Sequence, residues 1–185
     1  FPNVPYLPTL LEVVEYSEPV LTSTLGFVVK DHHRHGFATV EALEKQGRLT
    51  IGVVADVNYL EAQFRAWLPQ LDFEMVELAS PDDFFESNTL GVDALFITAE
   101  VGTALTLLHP EYAVVVPKSI LWQVPQGFAT AKGNWVLSEY LDGWVATHQQ
   151  KGSFQRVYDY WILGEGAKTR HPRWSVVRNV LHWVR

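Results

Sequence analysis

Two short polar stretches follow apolar runs in this chain, and they carry side chains suited to holding or transforming a small molecule. The first is Ala55-Asp56-Val57-Asn58-Tyr59, after the run that starts at Leu49; the second is Thr98-Ala99-Glu100, after Ala94–Ile97. A carboxylate in such a place can grip a cation, move a proton or cap a helix. Asn58 and Thr98 can hydrogen-bond a polar solute, and Tyr59 can stack on one. A third cluster, Asp31-His32-His33-Arg34-His35-Gly36, offers imidazoles to a metal. In an extended segment His32 and His33 would point to opposite sides, and His109, His148, His171 and His182 are scattered. The cluster therefore reads as a solvated turn, with no metal and no cofactor expected. Nucleophile-elbow, zincin, P-loop and dinucleotide signatures are absent. No catalytic residue is assigned.

The elements that must position these residues follow from periodicity and caps. Leu25–Val29 is a strand, and Thr39 caps a short helix over 40–46 that Gly47 stops. A buried strand starts at Leu49. Asn58, with Glu61 three residues on, is a capping-box-like start for a helix over 59–68, closed by Pro69. A strand at 73–78 comes next, then Ser80 as N-cap with Pro81 at the first helical position. A strand at 91–98, a helix at 100–108 and a strand at 111–117 complete the run. This β-α-β-α-β-α-β order predicts an α/β fold, a mostly parallel open sheet with helices on both faces. Ligands of such sheets bind outside the carboxyl ends of the strands, where helix N-termini present free N–H groups. Both polar stretches fall there.

Beyond Pro117 a short strand and turn lead to a helix over 134–150, with Val136, Tyr140 and Trp144 on one stripe and Leu137 and Leu141 beside them. An aromatic-rich helix over 152–164 comes after it. In the tail, Trp174, Val177, Val180, Leu181 and Val184 recur at helical spacing, as a docking helix would. At 185 residues, 48% hydrophobic and 19% charged, the chain can bury a core. A net charge of −7 argues against a nucleic-acid surface, and the lack of cysteine excludes disulfides and thiolate chemistry. No apolar run reaches the roughly 18 residues of a membrane span. The chain starts at Phe1 without Met, so a piece of a longer protein is expected.

Several segments resemble the family 3 periplasmic solute-binding proteins. EYSEPVLTSTLGFVVKD is similar to their crossover segment, GRLTIGVV to the strand opening the second lobe, and GVDALFITAE to their "D-A-v" strand. HPEYAVVVPK and the stretch over 122–164 resemble the return to the first lobe. Leu137, Leu141, Trp144, Gly152, Tyr158 and Trp161 stand at the family's helix positions. The resemblance covers roughly residues 12–165. It implies a second-lobe α/β domain at 27–117, a lead-in and crossover segment at 1–26, first-lobe return strand and helices at 118–165, and a tail helix at 166–185. The first lobe would be incomplete, lacking an N-terminal half-lobe, and a second copy could cover its apolar surface.

The implied function is extracytoplasmic binding of a small polar solute, amino-acid-like or cationic, by lobe closure and without chemistry. Asp56, Asn58, Tyr59, Thr98 and Glu100 would be the contacts. The implied partners are the solute and a membrane transporter, such as an ABC system, or a receptor component. The family's acid that grips a ligand amino group would fall on Thr98, with Glu100 two residues further. Its Gly-Ser/Thr-Thr loop, which holds a ligand carboxylate, is replaced here by Asp56-Val57-Asn58-Tyr59. The tail also resembles, at Pro172-Arg173-Trp174-Ser175, solute-binding-like domains fused to dicarboxylate-type secondary transporters. A sensor module fused to a transporter or receptor, a dehydratase-type enzyme using Glu100 and Asp56, and a regulator's effector domain are the alternatives.

Overall fold

The structure, a computed structural model, describes residues 4–86, 91–118 and 121–163. The predicted tail helix lies outside the described residues. The chain divides into two compact units, one of Phe1–Ser23 with Gln123–Arg185 and one of Thr24–Trp122. It opens with two short strands, β1 (Val4–Pro5) and β2 (Val14–Tyr16), and a long one, β3 (Leu21–Lys30).

The second unit holds α1 (Val40–Glu44), β4 (Leu49–Val53), α2 (Val57–Trp67), β5 (Phe73–Glu77), α3 (Asp82–Glu86), β6 (Ala94–Thr98), α4 (Ala99–Leu108) and β7 (Tyr112–Val115). The predicted alternation is present. Within this unit the strands run β5-β4-β6-β3-β7. β4 is parallel to both β5 and β6, while β3 lies antiparallel between β6 and β7. The sheet is therefore mixed about a parallel centre. Phe27, Val28 and Val29 of β3 are all buried, as expected of a strand covered on both faces.

One face packs on α2 through an aromatic cluster. The Phe64 ring lies 5.2 Å from Phe73, 4.9 Å from Phe96 and 5.2 Å from Trp122. The main apolar core, from Phe27 to Trp122, falls wholly within this unit. α4 covers the other face by close backbone approach. A Cβ on Gly102 would stand 2.8 Å from Val28 Cγ2 and 3.2 Å from Val114 Cγ2.

Two local expectations change. The Asp31–Phe37 segment is a 3₁₀ run, not extended, so the His32 and His33 rings lie 4.1 Å apart instead of pointing to opposite sides. The N-cap of α2 is Asp56, not Asn58; its Oδ1 accepts from the Tyr59 N–H at 3.2 Å. Asn58 sits inside the first turn. Thr39 caps α1 as predicted, accepting from the Ala42 N–H at 3.2 Å.

The first unit is built from β1 paired with β8 (Gln123–Gly127), β2 paired with β9 (Ala129–Ala131), α5 (Trp135–Gln150) and α6 (Ser153–Tyr158). Gly152, at φ 63°, makes the turn between the two helices. The Tyr6 hydroxyl donates to the Ser17 carbonyl, and Tyr16 donates to the Pro5 carbonyl at 2.8 Å. α5 departs from expectation. Val145 is its buried side chain; of the predicted stripe, Val136 (83% exposed) and Tyr140 (67%) face solvent, while Trp144 packs against Phe128 at 5.8 Å and Phe154 at 5.6 Å.

Gly102→Ala tests the tight α4 seat. Overpacking costs about 1–3 kcal/mol, and the helix propensity of Ala returns at most about 1 kcal/mol. A lower chemical-denaturation midpoint is expected, and an unchanged or higher one would contradict this packing.

Candidate functional site

Parallel pairing decides where the polar stretches meet. In the β4–β6 register Ile51 faces Ala94, Gly52 faces Leu95 and Val53 faces Phe96. Asp93 fastens the amino end of this pair. Its backbone N–H donates to the Thr50 carbonyl at 2.8 Å, and its Oδ2 accepts from the Thr50 N–H at 2.8 Å. Three residues beyond Val53 comes Asp56, and two beyond Phe96 comes Thr98. The helices that follow, α2 and α4, therefore both start at one edge of the sheet.

All five predicted residues stand at this edge. Asp56 is half-buried at the N-cap of α2, Asn58 is the exposed second residue of that helix, and Tyr59 is the half-buried third. Thr98 ends β6, paired across to Leu25 of β3, and Glu100 is the half-buried second residue of α4. Side chains alternate along a strand, so Thr98 lies on the same face as Ala94 and Phe96, the face that α2 covers. Thr98 occupies the N-cap position of α4 without a side-chain capping bond. Its Oγ1 is buried and finds no hydrogen-bond partner among the described residues. A buried hydroxyl left unpaired costs stability that a bound solute can recover.

Chemically, the edge offers two carboxylates, a side-chain amide, a phenol ring and an orphan hydroxyl around two helix N-termini. That set can hold a polar solute by hydrogen bonds and charge. Among the described residues no group of three His, Asp or Glu side chains is arranged to hold a metal.

Three concavities lie away from this edge. A groove of about 770 Å³ in the first unit is lined mainly by Val20, Leu21, Phe154, Val157 and Tyr158. A second groove there, about 510 Å³, brings Tyr6, Tyr16 and Trp135 beside Glu15, Glu18 and Asp142. Burial, then the carboxylates of Glu18 and Asp142, pushes the Tyr6 phenol up. Sequence reasoning did not single out this acidic groove, because its carboxylates come together only through the β2–β9 pairing and α5. At the amino end of β6, a cavity of about 170 Å³ is lined by Lys30, His33, Phe84, Asp93 and Tyr112. Burial, then Glu111, raises the Tyr112 phenol.

No protein-family model matches the chain, and no curated protein matches it. Solved structures do. An amino acid ABC transporter substrate-binding protein from Streptococcus pneumoniae, bound to L-arginine, aligns with a TM-score of 0.63 at 16% identity, over 83% of this chain and 63% of its own. The solute receptor for L-cysteine of Neisseria gonorrhoeae gives 0.64 at 20% identity, over 91% and 67%. The GluR0 ligand-binding core in complex with L-glutamate gives 0.65 at 14% identity, over 86% and 69%. At these identities the likeness is one of fold. The chain has the α/β fold of a periplasmic-binding-protein-like lobe, and it spans 63% of the length of the streptococcal protein. Among the described residues no helix is long and apolar enough to cross a membrane.

Thr98→Val tests the orphan hydroxyl. Replacing it by a methyl of the same shape should leave stability unchanged or raise it by about 1 kcal/mol. A loss of more than about 1 kcal/mol in urea denaturation would show that the hydroxyl is already paired.

Proposed function

We propose that this chain is the solute-binding portion of an extracytoplasmic transport or receptor system and releases its solute unchanged. What supports this is the start of α2 and α4 at one edge of the sheet, with Asp56, Asn58 and Tyr59 at the one start and Thr98 and Glu100 at the other. Support comes from neighbours of the same fold, one bound to L-arginine, one in complex with L-glutamate and one a solute receptor for L-cysteine. In this reading Asp56 and Glu100 meet positive charge on the solute, Tyr59 stacks on it, and Asn58 and Thr98 hydrogen-bond it.

The domain reading belongs to the same proposal. Residues 27–117 are a second lobe, 1–26 the lead-in and crossover, 118–165 a first-lobe return, and 166–185 a tail that docks on protein. Solute binding acts by lobe closure: a ligand that contacts both lobes of a complete binding protein favours the closed state. The partner is a membrane transporter or receptor component, tethered or separate, and a second copy of the chain can cover the exposed stripe of α5.

A thermal-shift panel tests the reading. Amines and basic amino acids are screened with dicarboxylates and neutral sugars. A solute at about 100 times its dissociation constant stabilises by about 2.7 kcal/mol, so a cationic member should raise Tm, and Glu100→Gln should lose that rise. Stabilisation by dicarboxylates alone would contradict the assignment of the two carboxylates.

A further inference from the structure

We propose that residues 172–185 form a helix that docks in the apolar groove of the first unit, so that the chain covers this groove with its own tail. This rests on the reading above that the tail docks on protein and names the surface it docks on. It is independent of any solute at the edge of the second unit.

The groove, of about 770 Å³, is lined by Val20 and Leu21 at the start of β3 and by Phe154, Val157, Tyr158 and Ile162. The last four belong to α6 and the turn after it, Asp159–Leu163. Among the described residues no charged side chain lines it. Val157 is 58% exposed in this apolar wall. An open apolar groove marks a place where another surface packs, because covering it removes apolar area from water.

Continuity and length point to the tail as the occupant. The chain leaves the groove's own wall at Ile162 and enters the tail two residues later. Residues 164–171, with two glycines and no large apolar side chain, can span at most about 28 Å. A helix from Trp174 to Val184 is about 15 Å long. The link is therefore long enough to turn the helix back on the groove. Pro172 suits a helix start, and Trp174, Val177, Leu181 and Val184 then form one apolar stripe with Arg178 and Arg185 at its border. A tethered segment also meets the groove at a far higher effective concentration than a second copy does.

Charge favours the same pairing. The chain has a net charge of −7, yet its tail is basic, with Lys168, Arg170, Arg173, Arg178 and Arg185 against Glu165 alone. The described part of the first unit is acidic: Glu12, Glu15, Glu18, Glu139, Asp142 and Asp159 outnumber Lys132, Lys151 and Arg156. Glu18 and Asp159 stand within two residues of lining side chains along the chain. Apolar contact holds the stripe, and opposite charge sets the fold-back over other partners.

Hydrogen exchange of the full chain, read by mass spectrometry, tests this, because a helix of about 14 residues is marginal by itself in water. Protection of peptides spanning 172–185 therefore reports docking. Exchange there should run at least about tenfold slower than in the same sequence as a free peptide, at every protein concentration. Val157→Lys brings a charge like the tail's into the groove, at an exposed position where Lys suits the helix. It should remove that protection. Leu181→Ser alters no groove residue and should speed exchange across 153–158 in return. Tail protection that survives Val157→Lys, or unchanged exchange at 153–158 in Leu181→Ser, would overturn the groove assignment and leave tail docking standing. Protection that falls on dilution would overturn it in favour of a second copy. No protection, or protection only with phosphatidylserine vesicles, would overturn tail docking as well. The thermal-shift panel remains a separate test of the solute reading.

Discussion

Parallel pairing of β4 with β6 constrains the rest of the second unit. Because the two strands run side by side in the same direction, each must hand over to its helix at the same edge, and α2 and α4 start there together. Register matters as much as direction. A slip of one residue would turn Phe96 out of the aromatic cluster and Thr98 away from the α2 face. The Asp93–Thr50 pair of hydrogen bonds holds the register at the far end, and the antiparallel β3 holds β6 from the other side with Leu25 opposite Thr98. The candidate site is thus fixed by hydrogen-bonded backbone, not by loops.

Packing and capping divide the labour of placing α2. Burying a side chain such as Phe64 contributes roughly 1.5–3 kcal/mol, and Phe64 is wholly buried amid Phe27, Phe73, Phe96 and Trp122. The stacked Trp67 and Trp122 rings, 5.3 Å apart, extend the same cluster along the helix. A cap such as Asp56 is worth about 1 kcal/mol. Aromatic packing therefore sets where the helix lies, and the cap sets where it begins and what charge it shows at its end. Function, in this account, is read from the smaller of the two energies.

Much of this was legible in the chain. Alternation of apolar strands with capped, amphipathic helices predicts the β4 to β7 run, and the polar residues after Leu49–Val53 and Ala94–Ile97 point to the edge where α2 and α4 begin. The direction of β3 was not legible, because Phe27-Val28-Val29 is apolar on both faces and such a run fits a central strand of either sense. The start of α2 was misplaced by two residues, since Asp56 and Asn58 are both good caps and Glu61 completes a box pattern with Asn58. Only the structure shows that Val57 is already helical. The stripe of α5 shows the limit of periodicity: it identifies an apolar face but not whether anything lies against it. Val145, one turn beyond Leu141, is the residue buried.

Backbone amide chemical shifts of the chain under titration with a cationic solute would test the central claim most directly. The account predicts perturbations concentrated in residues 56–60 and 98–101, at the shared edge of β4 and β6. Perturbations confined to the first unit, around Tyr6, Glu15 and Asp142, would contradict it.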